Sequence, residues 1–144
     1  MEYGKGLVND VYVLRIDRDE YLLESLEKFV KEEDLLNGLI MTGYGTLSES
    51  VMHMVTTLGF PAHEHFDTRK DQALELVSLD GIIANGHIHA HMTISDTKYA
   101  YAGHLEKNCK VLYLCEVVIG KIENINMKRQ IQQDTKLNLL SFKS

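Results

Sequence analysis

The sequence predicts an α+β domain, a mostly antiparallel β-sheet with one main helix packed on it. Three observations carry this. Only residues 22–31 repeat their apolar positions at helical spacing. Several other stretches are β-rich runs. The intervals between those runs are short, which favours hairpins over crossover helices. At 144 residues without a long linker, residues 1–144 fit a single domain large enough to bury a core.

Val11-Tyr12-Val13-Leu14-Arg15-Ile16-Asp17 reads as the first strand, followed by Asp17 or Asp19 as a helix cap. In the helix, Leu22, Leu23, Leu26, Phe29 and Val30 share one face, and Glu24, Glu27, Lys28 and Lys31 lie on the other as a solvated surface. Residues 38–47 form a strand interrupted by Gly43 and Gly45, which permit a bulge or close backbone approach. They lack the third glycine, following helix and lysine of a nucleotide-binding loop. Residues 50–57 are another strand, carrying His53 between Met52 and Met54.

Residues 59–70 hold the only proline and read as a loop, so His63 and His65 are expected to be exposed. Residues 74–83 return to strand, with a turn or bulge around Ser78-Leu79-Asp80-Gly81. After the histidine-rich stretch described below, Tyr99-Ala100-Tyr101-Ala102-Gly103-His104 opens a partner strand. Residues 111–119 are apolar apart from Glu116, as in a central strand covered on both faces. The tail from Lys121 onward reads as one or two edge strands.

The chemistry is concentrated in Gly86-His87-Ile88-His89-Ala90-His91-Met92-Thr93-Ile94-Ser95. A strand sends alternate side chains to opposite faces, so His87, His89, His91, Thr93 and Ser95 share a polar face while Ile88, Ala90, Met92 and Ile94 face the core. Same-face neighbours lie roughly 6.6 Å apart, near enough for two imidazoles to meet one ion. Three in a straight row converge less easily, so the better arrangement takes two from this strand and His104 from the next. Imidazole ligands suit zinc, iron, nickel or copper, and three ligands with an open position are the catalytic arrangement. The competing reading is a solvated polar face or a subunit contact. Glu116, alone in an apolar run, needs a polar site or a partner such as Arg15, because an unpaired buried carboxylate is costly.

A formal net charge of −6 argues against general attraction to nucleic acid or anionic membranes. Cys109 and Cys115 lack redox or zinc spacing and read as buried thiols. No apolar run approaches the roughly 18 residues of a membrane span, and Met1-Glu2-Tyr3-Gly4-Lys5-Gly6 has no signal-peptide pattern, so a soluble cytoplasmic protein is expected.

The ordered set of residues 40–47, 74–81, His87-Ile88-His89-Ala90, Ala102-Gly103-His104-Leu105 and Cys115-Glu116-Val117-Val118-Ile119 resembles the PPC (plants and prokaryotes conserved) domain family over nearly the whole chain. The resemblance implies a homotrimer and a metal at His87, His89 and His104, with zinc the first expectation and iron the second. His91 stands where the family usually has a small hydroxyl residue, which leaves open whether it is an added ligand, a substitute ligand or a supporting group. Glu116 is then a candidate acid or base, and Thr93, Tyr99 and Tyr101 are candidates for orienting a small ligand. Plant members bind DNA through a separate Arg-Gly-Arg-Pro hook absent from this sequence, so direct DNA binding is not expected. The expected function is therefore a metal-binding trimer with unassigned catalysis. The alternatives are a DNA-associated regulatory module acting through a partner or the trimer surface, and a scaffolding or ligand-binding trimer.

Overall fold

The computed structural model describes residues 1–142. Its elements in order are β1 (Leu7–Asp17), α1 (Leu22–Glu32), β2 (Asn37–Val55), β3 (Glu64–Arg69), β4 (Leu74–Ala84), β5 (His87–Ser95), β6 (Ala100–Leu105), β7 (Lys110–Glu123), β8 (Lys128–Ile131) and β9 (Asn138–Ser141). Strands β1 to β7 form one sheet in the order β1-β7-β2-β4-β5-β6, with β3 on β2, and the pairings are antiparallel. The mostly antiparallel sheet with one helix matches the sequence expectation.

The organising element is β2. The sequence suggested two strands, but residues 37–55 run as one. Its first half pairs with β7 and β4, and its second half pairs with β3 and β6. Because β4 also pairs with β5 and β5 with β6, strands β2, β4, β5 and β6 close a circuit. Register irregularities at 40–42, 45–47 and 47–49 accompany the change of partners. Gly45 permits the approach of β7 there, since a Cβ at its φ of 150° would lie 2.3 Å from the Leu114 carbonyl oxygen.

The alternation of burial sorts the faces. Leu47 and Met52 of β2, Leu76 and Leu79 of β4, Ala90, Met92 and Ile94 of β5, and Leu105 of β6 belong to one buried cluster. Leu22, Leu26 and Val30 of α1 join the same cluster with Ile16, Val117 and Ile119. The histidines between these positions therefore face outward.

Several local expectations change. Neither Asp17 nor Asp19 caps α1; Tyr21 occupies that position without a side-chain cap, while Asp17 binds Arg15 and Asp19 binds Lys110. Part of the supposed loop at 59–70 is β3, whose backbone pairs with the far half of β2. His63 and His65 are exposed, as expected. The tail forms two strands, β8 and β9, which pair with each other in a separate hairpin. β7 is central, flanked by β1 and β2, but it is not covered on both faces: Tyr113 and Leu114 remain exposed.

Closure of the circuit depends on Gly103. A Cβ there would sit 2.8 Å from the His53 carbonyl oxygen and 3.2 Å from Met52 Cβ, so β6 could not lie as close to β2. Gly103→Ala is expected to destabilise the protein by about 1–3 kcal/mol, the usual cost of overpacking a close contact. Urea unfolding checks this, and an unchanged midpoint would show that the β2–β6 contact is not tight.

Candidate metal centre

The strand register assembles the site. His91 of β5 stands opposite His104 of β6, and His104 stands opposite His53 of β2. Asp80 of β4 extends this row beyond His91, and Phe66 of β3 extends it beyond His53. Directly paired residues have Cβ atoms about 4.5–5.5 Å apart, so one register line across five strands suffices to gather three imidazoles. His89 is added from the next outward position on β5.

The rings form a contiguous group around His104. Its centroid is 4.5 Å from that of His53, 4.8 Å from His89 and 5.4 Å from His91. The His53 and His104 rings are stacked, while His89 and His91 meet His104 edge-on. Phe66 covers the far side of His53 at 5.5 Å.

Glu106, just beyond β6, organises two of these rings. Its Oε1 lies 2.7 Å from His53 Nδ1 and 3.0 Å from His104 Nδ1. An ionised carboxylate only accepts, so each Nδ1–H donates to it; in a neutral ring this leaves Nε2 with its lone pair. Metal-binding histidines commonly have this second contact, which fixes tautomer and ring orientation. Donor atoms of His53, His104 and Glu106 all lie within 4.8 Å of one another. His53 Nε2 is also 3.6 Å from Glu64 Oε1.

Burial favours the neutral form of two of the rings, His89 and His104. Burial pushes His89 down to about 4, assisted by the positive charge of Arg129 and by the neighbouring histidines. Burial likewise lowers His104, followed by repulsion from His53, while Glu106 opposes the shift. Neutral imidazoles are the form that binds a metal. The nitrogen-rich donor set with a carboxylate at hand thus fits a divalent transition metal.

The sequence-expected residues divide into two groups. His89, His91 and His104 come together. His87 pairs with Ala84 at the start of the β4–β5 hairpin, four residues before the His91–His104 pair, while His89 is near enough for its ring to reach His91 and His104. Thr93 shares the histidine face, opposite Ala102. Tyr101 lies on the other side of β6; its hydroxyl donates to Asp96 Oδ2 at 3.0 Å, and the Arg69 guanidinium sits 3.5 Å from its ring centre. Tyr99 is exposed. Glu116 lies in β7 between Arg15 of β1 and Tyr44 of β2, and its hydrogen bond and charge raise the Tyr44 phenol above its ordinary value. It is not brought to the histidines. Cys109 and Cys115 are buried thiols, each pushed up to about 11 chiefly by burial.

Two members of the group escaped sequence reasoning. Glu106 follows His104 by two residues, so the same alternation that aligned the histidines could have found it. His53 required knowledge that the far end of β2 pairs with β6, which no local pattern contains.

The family model for the Plants and Prokaryotes Conserved (PCC) domain matches residues 3–123. Among solved structures, a plant- and prokaryote-conserved (PPC) protein from Pyrococcus horikoshii has TM-score 0.82 at 21% identity, covering 100% of this chain and 99% of that one. A protein from Archaeoglobus fulgidus described as metal-containing has TM-score 0.81 at 21% identity, covering 96% and 98%. A candidate DNA-binding protein from Bacteroides thetaiotaomicron has TM-score 0.80 at 23% identity, covering 98% and 96%. A bifunctional protein GlmU from Synechococcus sp. (strain JA-2-3B'a(2-13)) is 24% identical over 121 residues, which are 83% of this chain and 18% of that protein. The chain therefore spans under a fifth of the length of that curated relative.

His89 makes the stability of the metal-free protein depend on pH. Its folded value near 4 lies below the ordinary value of 6.5, so the unfolded chain takes up the proton first. The contribution is present in full above 6.5 and drains away as pH falls toward 4. Metal-free protein should lose more stability than a His89→Asn variant between about pH 7 and about pH 5. Equal losses in urea unfolding would show that His89 is not held neutral by its surroundings.

Proposed function

This chain belongs to the Plants and Prokaryotes Conserved (PCC) domain family, and on that premise we propose that it is a homotrimeric protein that binds a divalent transition metal at His104, with metal-dependent catalysis as the activity to be sought. The observation that carries the reading is the convergence of His53, His104 and Glu106, with the His89 and His91 rings against His104. The Archaeoglobus fulgidus protein described as metal-containing supports it.

His104 is the shared member of the centre. His53 and Glu106 offer donors on one side of it, and His89 and His91 are the nearest further donors. Zinc is the first choice and iron the second, because both accept nitrogen with oxygen. A bound ion of this kind polarises a carbonyl or phosphoryl oxygen or makes a water molecule more acidic. Thr93 remains a candidate contact for a ligand on this face. Tyr101 packs against the core with its hydroxyl on Asp96, and Glu116 is paired with Tyr44, so the contacts of these two residues lie away from the histidines.

The trimer reading rests on the outward face of β1, β7, β2 and β4. Val13, Tyr44, Val77 and Tyr113 are exposed there, and Val13 pairs with Val118 as Arg15 does with Glu116. An apolar sheet face of this kind gains by being covered. Glu116 and Tyr44 form a polar pair on it, which favours an interface role for Glu116.

A DNA-associated role is the second reading, favoured by the names of the structural relatives from Bacteroides thetaiotaomicron and Ralstonia eutropha. The net charge of −6 opposes direct binding. A gel shift at low salt with AT-rich and mixed duplexes would reveal it, and absence of a shift is expected.

Elemental analysis of untagged protein, purified without added metal or chelator, should find about one metal per chain. His104→Ala should lose it, while His87→Ala should keep it, and both variants should retain the solution mass. A metal-free protein that cannot be loaded would contradict the proposal, as would full metal retention in His104→Ala.

A further inference from the structure

Immediately beside the histidine centre, the β4–β5 hairpin meets the β8–β9 hairpin. Asn85, His87 and His89 on one side and Lys128, Arg129 and Asn138 on the other line a cleft of about 460 Å³. The β8–β9 hairpin lies beyond residues 3–123, the span matched by the family model. The cleft is thus completed by a segment outside the matched domain.

Arg129 is unusually placed for a guanidinium. Its Nη1 donates to the Asn138 carbonyl oxygen at 3.2 Å, but its buried Nε has no hydrogen-bond partner. Among the described residues, neither Arg129 nor Lys128 takes part in an ion pair. Arg129 is half-buried, withdrawing a cation even partly from water without a counter-charge is unfavourable, and the fork of a guanidinium matches the two oxygens of a carboxylate or phosphate. The carboxylates of the centre, Glu106 and Glu64, contact His53, the ring on the other side of His104 from His89. Positive charge lies on the Arg129 side and negative charge on the His53 side.

We infer that Arg129, with Lys128 and His87, forms an oxyanion-binding subsite that holds the carboxylate or phosphate group of a small anionic substrate beside the metal centre. The inference rests on the metal-centre reading for its functional meaning, though binding of the anion itself requires no metal. A ligand anchored at Arg129 would extend along the cleft past His89 toward His104. Asn85 and Asn138 supply amide groups that can hydrogen-bond the remaining oxygens. His87 thereby acquires a place in ligand recognition rather than in metal binding.

The test is titration of the full chain with inorganic phosphate and, separately, with acetate, followed by calorimetry and by amide chemical shifts, with metal content measured on the same samples. Saturable binding is expected, weakened about tenfold or more by Arg129→Gln and less by Arg129→Lys, which retains the charge but not the fork. Lys128→Gln should weaken it by a smaller factor and serves as the second variant should Arg129→Gln misfold. Preference between the two probes identifies phosphate or carboxylate as the recognised group. Absence of saturable binding of either anion, or equal affinity in wild type, Arg129→Gln and Lys128→Gln, would overturn the inference. Arg129-dependent binding by a protein that takes up no metal would sink the metal reading and leave the subsite standing. Full metal content without anion binding would do the reverse.

Discussion

The long strand β2 pairs with β4 at one end and with β6 at the other, and the rest of the site depends on that double pairing. Without it, His53 and His104 would belong to unrelated parts of the chain, 51 positions apart by their numbers. With it, a single register line carries His91, His104 and His53 side by side. The same closure turns Met52, Met92 and Leu105 into the core, so the apolar contacts that stabilise the circuit also fix the histidines on its outer surface. A slip of one residue in any of these pairings would exchange the two sets, which is costly in buried area and therefore resisted.

The surroundings give the gathered rings different tasks. Glu106 accepts from two Nδ1 atoms and orients the rings at one end. Arg129 brings positive charge to His89 at the other end, where burial already favours the neutral ring. The centre is therefore polarised along its length, with carboxylates beside His53 and a cationic cleft beside His89. Such a gradient would orient an anionic ligand in one sense only, which is how a small site gains selectivity beyond metal affinity.

Much of the fold was legible because its signals are local. The alternation of β5, the apolar stripe of α1 and the shortness of the connections each follow from neighbouring residues. The Asn85-Gly86 turn, with φ of 50° and 74°, is a local signal of the same kind that escaped sequence reasoning, since only such residues readily adopt the tight hairpin joining β4 and β5. The site was legible only in part. Alternation identified the histidine face of β5 and pointed to His104 on the next segment as its partner. What alternation cannot supply is the register between strands, which sets His53 beside His104 and leaves His87 four residues from the His91–His104 line. The tail supplies two strands, as its residues suggested, but which sheet they join is again a matter of register: β8 and β9 pair with each other.

The central claim is that register, not sequence proximity, defines a metal centre around His104. X-ray absorption spectroscopy at the zinc edge, on protein loaded with one equivalent of zinc, addresses it most directly. The account predicts a first shell of nitrogen and oxygen near 2.0–2.1 Å with outer-shell scattering from imidazole rings, lost in His104→Ala and unchanged in His87→Ala. A shell without imidazole scattering, or one that survives His104→Ala, would contradict it.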